Sequence, residues 1–341
     1  MKVSVLGAGP AGSTAAYYLA EAGTEVELID TKAFPRDKPC AGGLFNPLLY
    51  EREFPHLGRI AGKDLYRVHF SGGAHEFEWT SGEPVMRTVF RKDFDHMLLR
   101  RAQSAGARFL LNREPVGDVL IDARGARSPK DYHETGICLV NDFKTGREID
   151  TVYVHHCFGG IKGYAWLFPK EGHANVGIGA YLPQRGIRIL YERYLDHLRG
   201  RGILDTSGYA AKAACRARLI PFSPIDRFYT GSGLIVGDAA GFVKPSNGEG
   251  IFFAMLSGKI AAQTIIENHD FRWYECRCRE SFCRYLRPVM FNRSTWLLKR
   301  SVEKAVKIGS RDESFARIMV ENFFRLQDHR LGLHFMKRIL K

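Results

Sequence analysis

The N-terminal run Gly7-Ala-Gly9-Pro-Ala-Gly12 constrains this chain most. It follows a short buried-strand pattern at 3–6 and precedes a helical run, 13–22, that Gly23 stops; a second strand pattern, 25–29, then ends on Asp30. The order strand, glycine turn, helix, strand predicts a βαβ unit. Glycines at this spacing let the backbone turn tightly and approach a pyrophosphate, whose charge the N–H groups at a helix start stabilise. Asp30 closes the second strand, where an acid accepts hydrogen bonds from an adenosine ribose. A motif of this kind also arises by chance, so a βαβ turn holding no ligand is the alternative at this point.

With 45% hydrophobic and 26% charged residues in a chain of 341, disordered, collagen-like and coiled-coil readings are excluded. Beyond the opening, 91–105 reads as a helix closed by Gly106 and 119–122 as a buried strand. Residues 67–79 read as a hairpin around Ser71-Gly72-Gly73, and 151–157, 164–168 and 175–181 as an antiparallel sheet with a turn at Glu171-Gly172. Ile187, Leu190, Tyr194 and Leu198 mark one helix face, after which an α/β pattern returns with a strand at 233–236 and a helix at 250–266.

The seven cysteines are scattered and odd in number, which favours a reducing compartment. Cys276, Cys278 and Cys283 lack a zinc spacing, and His155 and His156 point to opposite faces of a strand, so no metal site is expected. The first apolar run is too short for a signal-peptide core, and the apolar stretch 250–266 is interrupted by Ser257, Gly258 and Lys259. A cytoplasmic chain that lies on a membrane, if it meets one, is expected. Of the formal charge of +13, residues from Phe271 onward hold 17 Lys and Arg against 7 Asp and Glu. Such a block suits an anionic membrane surface, a nucleic acid or an acidic protein; a solvated basic surface is the plain alternative.

Residues 231–258, GSGLIVGDAAGFVKPSNGEGIFFAMLSG, resemble the second FAD signature of the para-hydroxybenzoate-hydroxylase-like flavoproteins. The resemblance implies that Asp238, after Gly237, contacts the ribityl chain and that Gly248 and Gly250, ahead of Ile251, place backbone amides beneath the flavin. Arg91, in RKDFDHMLLRRA, matches an Arg-x-x-Phe-Asp helix start whose Arg reaches the cofactor. The run Phe34-Pro-Arg36-Asp-Lys38-Pro-Cys40-Ala41-Gly42-Gly43 resembles the Arg-x-Lys-Pro-Cys-Gly-Gly-Gly loop of geranylgeranyl reductases, and its Cys-Ala matches the archaeal digeranylgeranylglycerophospholipid reductases. Tyr164-Ala-Trp166-Leu-Phe168-Pro169, followed by Asn175-Val-Gly177, matches that family's Tyr-x-Trp-x-Phe-Pro pattern, with Ile161 where the family carries Pro.

The resemblance spans about residues 1 to 270 and departs at 107–124, a shortened stretch that ends in Arg124-Gly125 where the family carries Asp-Gly. It implies an α/β fold: a Rossmann-type FAD-binding domain (1–66, 85–130, 216–270), an inserted antiparallel β-sheet substrate domain (67–84, 131–215) and a basic helical C-terminal region (271–341). Cofactor contacts are implied for Gly7, Gly9, Ala11, Gly12, Asp30, Lys32, Arg36, the loop Cys40 to Gly43, Arg91, Val116 near the adenine, Gly237, Asp238, Gly248, Gly250 and Ile251.

The implied activity is that of an FAD-dependent oxidoreductase saturating prenyl double bonds in membrane lipids or quinones. An aromatic hydroxylase or halogenase, and a non-catalytic prenyl carrier, are the alternatives on the same fold. Tyr164, Trp166 and Phe168 alternate on one strand and share a face. By spacing alone that stripe is sheet packed on core; the resemblance makes it the wall of a prenyl channel. Cys40 is either a small buried hydrophobe or a group that helps deliver a proton. No second GxGxxG stands in a strand-turn-helix context, so the electrons are expected from an external donor: ferredoxin, NADPH or a deazaflavin. The basic C-terminal region, with Trp273, Tyr274, Phe291 and Trp296 as interfacial anchors, is expected to meet an anionic membrane surface and no nucleic acid.

Overall fold

Alternation of apolar runs with glycine-stopped helices lays out the chain. A computed structural model describes residues 1–126, 128–206, 215–283, 286 and 295–325, without the side chains of Pro129 and of 295–299. In chain order the elements begin with β1 (Lys2–Leu6), α1 (Pro10–Glu21), β2 (Glu25–Asp30), β3 (Gly43–Phe45), α2 (Pro47–Glu53), β4 (Lys63–Leu65), β5 (Arg67–Gly72), β6 (His75–Thr80) and β7 (Met86–Thr88). They continue with α3 (Arg91–Ser104), β8 (Arg108–Leu111), β9 (Val119–Asp122), β10 (Thr135–Lys144), β11 (Thr151–His156), β12 (Gly163–Lys170), β13 (His173–Tyr181) and α4 (Ile187–Gly200). The last are β14 (Arg216–Pro221), β15 (Gly233–Ile235), α5 (Ile251–Ile266), α6 (Phe271–Ser281), α7 (Thr295–Gly309) and α8 (Glu313–Phe324).

Two compact units share these elements. The first comprises Met1–Lys38, Phe90–Thr135 and Leu219–Pro288. Its sheet has the order β15-β9-β1-β2-β8, with β1 paired in parallel to both β2 and β9. Val3, Val5 and Leu28 are fully buried, as in a parallel sheet covered on both faces, and each contributes roughly 1.5–3 kcal/mol. Helix α1 starts after Gly9 with Pro10 in its first turn, where the missing N–H costs nothing. Its residues Ala11, Gly12, Ala15 and Ala16 are small and buried, which lets α5 close on it; a Cβ added to Gly258 would stand 2.3 Å from Ala11 O.

The second unit comprises Pro39–Val89, Gly136–Arg218 and Val289–Lys341. Its main sheet has the order β14-β10-β13-β12-β11-β5-β6, and a small sheet the order β3-β7-β4. The expected hairpins form: β5 with β6, and β12 with β13 across Glu171-Gly172. One face of the main sheet carries Ala165, Leu167, Val176 and Ile178, which pack with Tyr191, Tyr194, Leu195 and Leu198 of α4. The other presents Tyr164, Trp166 and Phe168. His155 faces α4, against Tyr194 and His197, while His156 stacks on Phe70 on the opposite side.

The unit boundaries differ from the sequence reading, most informatively at two stretches. Residues 39–66, read as part of the nucleotide-binding domain, lie in the second unit because β3 and β4 both pair with β7 and Phe45 packs on Phe168. Residues 271–281, read as the start of a separate basic region, belong to the first, where Tyr274 is fully buried and its hydroxyl donates to Ile235 O at 2.8 Å. Tyr274 is therefore core rather than an interfacial anchor. Trp273 stacks on His269, centroids 4.4 Å apart. Phe291 and the side chain of Trp296 lie outside the described residues. Among the described residues no helix is long and apolar enough to cross a membrane, and no group of three or more His, Cys, Asp or Glu is arranged to hold a metal ion.

Candidate active site

The residues expected at the site are divided between the two units. In the first, the glycines of the N-terminal turn have different causes. Gly7 has φ +99, and a Cβ there would lie 2.5 Å from Ala123 O; a Cβ on Gly12 would lie 1.8 Å from Gly7 O. The fold itself demands both. Gly9 is extended and a Cβ there would meet only Arg36 Nη2, at 3.6 Å, while Gly248, at φ +73, would meet nothing within 4 Å. Over each of them lies space that protein does not fill, and at Gly9 that space is a cradle at the start of α1.

Charge gathers at the same turn. Asp30 accepts from the amides of Ala8 (2.8 Å) and Lys32 (3.0 Å), which pins its carboxylate under the glycine turn. The Arg36 guanidinium, resting on the Phe34 ring, lies 3.8 Å from Asp30 and 3.5 Å from Asp95. Arg91 donates to Asp95 through Nε (2.7 Å) and Nη2 (2.8 Å). Asp95, with no exposed side-chain area, thus serves two arginines. Its signal in the sequence was an acid four residues after an arginine on a helix. Val116, expected near an adenine, is 66% exposed, its N–H held by Ser4 Oγ at 3.2 Å.

The downstream signature forms a second turn in the same unit. Gly237, at φ +61, donates its N–H to Ser257 Oγ (3.0 Å), and a Cβ there would press on Ala11 and Ala254. Asp238 follows, its carbonyl accepting from Tyr132 Oη (3.0 Å), and a Cβ on Gly250 would stand 3.1 Å from Asp238 Oδ1. Ile251 is the buried first residue of α5. The loop is closed by Lys244 N donating to Glu249 O at 2.8 Å. Sequence reasoning missed the Lys244 side chain: it is buried, and burial pushes its ammonium below the usual lysine range against the opposing charge of Glu249. An open glycine cradle, an arginine at its edge and two carboxylates fit a dinucleotide with a pyrophosphate and two sugar-like arms.

In the second unit Cys40 opens a tight turn. Its Sγ accepts from Gly42 N at 3.4 Å, and Ala41 is half-buried. Gly42, at φ +73, is backed by Val89, whose N–H donates to Gly42 O (2.9 Å). Gly43 starts β3, where a Cβ would meet Met86 Sδ at 2.7 Å and Phe168 at 3.6 Å. From there the aromatic stripe runs outward: Phe168 to Trp166 5.9 Å, Trp166 to Tyr164 5.5 Å, Tyr164 to His156 6.0 Å between ring centroids. Phe45 packs on Phe168 and Phe323 on Tyr164, and Phe324 contacts Phe45. Burial pushes His156 down to about 4, so it is a neutral ring here at pH 7. Nearby, on the same unit, a cavity of about 430 Å³ is lined by Trp79, Glu83, Val85, Arg317, Phe324 and Arg325 among others. Such a face can sheathe a long apolar chain and offer π-electrons to a positive centre.

A family model described as an NAD(P)-binding Rossmann-like domain matches residues 5–35. The menaquinone reductase of Mycobacterium tuberculosis is 31% identical over 319 residues, covering 79% of this chain and 77% of that protein. The geranylgeranyl diphosphate reductase of Rhodobacter capsulatus is 30% identical over 297 residues, covering 76% and 73%. The chain belongs to the geranylgeranyl reductase family. A geranylgeranyl bacteriochlorophyll reductase-like protein of Thermoplasma acidophilum has the same fold, with a TM-score of 0.72, 21% identity and coverage of 94% of this chain and 96% of that one. Membership in the geranylgeranyl reductase family rests on matches covering more than three quarters of the chain, well beyond the short Rossmann match.

Proposed function

We propose that this chain is an FAD-dependent reductase that saturates carbon–carbon double bonds of prenyl chains carried by membrane lipids or quinones. The observation that carries the reading is the aromatic face of Tyr164, Trp166 and Phe168, lying in the same unit as the Cys40-to-Gly43 loop and packed with Phe45 and Phe323. Bound and reduced, FAD supplies the hydride. The remaining work falls to the chain.

Gly9, the N–H groups at the start of α1 and Arg36 would hold the pyrophosphate, with Gly7, Ala11 and Gly12 shaping the turn, while Asp30 and the Lys32 backbone flank the ribose. Asp238 would take the ribityl hydroxyls, Gly237, Gly248, Gly250 and Ile251 the approach to the ring, and Arg91 and residues Cys40 to Gly43 its remaining edges, with Val116 on the adenine side. An isolated alkene is electron-rich, so it takes a proton at one carbon and hydride at the other. The carbon awaiting hydride is a tertiary cation, and an aromatic face stabilises such a centre by roughly 2 kcal/mol once water is excluded. Tyr164 and Trp166 would supply that face, and Cys40 is the proposed group at the proton's route. Burying the prenyl chain gains about 0.8 kcal/mol per carbon, as the bilayer does, so transfer is nearly neutral if the chain never crosses water. Basic residues of the C-terminal region would keep the protein on an anionic membrane during transfer, and an external donor, ferredoxin, NADPH or a deazaflavin, would reload the flavin.

Anaerobic incubation of the chemically reduced holoprotein with geranylgeranylated lipids and with menaquinone, read by mass spectrometry, tests this. A gain of two mass units per double bond is expected; unchanged masses with both classes would refute it.

A further inference from the structure

Asn175 on β13 is 1% exposed, and each polar group of its amide is engaged. Its Oδ1 accepts from Trp166 Nε1 at 2.9 Å, and its Nδ2 donates to Asp142 Oδ1 at 2.8 Å and to the backbone carbonyl of Cys40 at 3.4 Å. An indole can only donate and the two other partners only accept, so the amide has one orientation. Behind it, Lys170 Nζ stands 3.0 Å from Asp142 Oδ1, with only 2% of its side chain exposed. The same ammonium lies 3.4 Å from where a Cβ on Gly42 would be. A buried polar network therefore runs from the aromatic strand β12, through β13, to the Cys40 carbonyl, with the Lys170 ammonium packed beside Gly42 of the same turn.

Packing alone does not call for an amide here. The next residue on the same side of β13 is Gly177, and a Cβ there would stand 2.1 Å from the Trp166 ring. The indole lies over bare backbone and donates its Nε1–H to Asn175. A buried amide is costly unless fully satisfied, and an apolar residue of similar size would fill the space.

We propose that Asn175 is a positioning residue that registers the Cys40 turn against Trp166, and so sets the cofactor loop relative to the substrate-binding strand. The inference rests on the function proposed above. It predicts that cutting the amide link frees the Cys40 turn without emptying the core.

The test compares wild-type holoprotein with Asn175→Leu and Asn175→Gln. Alkylation of Cys40 by iodoacetamide is followed by peptide mass spectrometry, with the exposed Cys276 as internal control, alongside kcat and KM for a prenyl substrate. In Asn175→Leu, Cys40 alkylation is expected to change at least tenfold with Cys276 within twofold, and kcat to fall at least tenfold with a smaller change in KM; Asn175→Gln should recover part of both. Where the Leu variant fails to fold, Asp142→Asn, which keeps the shape but weakens the hold on Nδ2, should shift the same readouts in the same direction. Cys40 alkylation within twofold of wild type in the folded variants overturns the proposal. A shifted Cys40 reactivity in a protein whose wild type reduces no prenyl substrate upholds the link and counts against the proposed function instead.

Discussion

A Cβ on Gly12 would stand 1.8 Å from the carbonyl oxygen of Gly7, so the first turn of α1 and the end of β1 are in backbone contact. Gly9, two residues from Gly7, has no such neighbour and an extended backbone open to any residue. Alanine should separate fold from ligand. Gly12→Ala is expected to cost about 1–3 kcal/mol or more through overpacking. Gly9→Ala should leave the melting temperature of the flavin-free protein unchanged or slightly raised, yet weaken flavin binding at least tenfold. Equal losses of stability in the two variants would contradict this.

Acid should unfold the protein through its histidines. Burial, with His69, His197 and Arg201 nearby, pushes His155 down to about 2, and burial pushes His156 to about 4. In the unfolded chain both titrate near 6.5, so below that pH the unfolded state binds more protons and stability falls as pH falls. From pH 7 to 5 the loss is of order 2 kcal/mol per histidine. Denaturant titrations of wild type and His155→Phe should diverge over that window, the variant losing about 2 kcal/mol less; parallel curves would remove His155 as a cause.

Gly177 gives the Trp166 indole its bed. Gly177→Ala should cost about 1–3 kcal/mol and tilt the ring. The flavin absorbance should persist while turnover of a prenyl substrate drops at least tenfold. Wild-type turnover in this variant would take Trp166 out of the substrate wall.

Cys40→Ala tests the proton route. Single-turnover oxidation of the reduced flavin by a prenyl substrate should slow at least tenfold, and an unchanged rate would remove the thiol from the chemistry.

Membrane attachment should be electrostatic. Lys and Arg near an anionic surface contribute about 1 kcal/mol each before screening. Co-sedimentation with phosphatidylserine vesicles should therefore fall steeply as salt rises, and binding that ignores salt would argue for a different anchor.

The parts of the fold carried by local period were legible in the sequence. The βαβ opening, the hairpin across Glu171-Gly172 and the opposed His155 and His156 follow from alternation and turn chemistry. The placement of the Cys40 loop was not, because β3, β4 and β7 are three residues each and take their meaning from partners about twenty to forty-five residues away. Tyr274 misled for another reason. It sits in a block dense in arginine, yet it and Cys278 are four apart and share the buried face of α6, so helical spacing outweighs local charge. Asp142 and Lys170 carry no local signal of their pairing, and only the pairing of β10 and β12 with β13 brings them together.

β1 leaves the ribosome before its partner β9, but the outer neighbour of β9 is β15, more than a hundred residues later still. At about 5–20 residues per second, the open edge of β9 waits for seconds to tens of seconds during synthesis. A nascent chain of this kind is a natural client for chaperones that shield strand edges, and slowing translation upstream of residue 233 should lower its yield more than slowing it downstream.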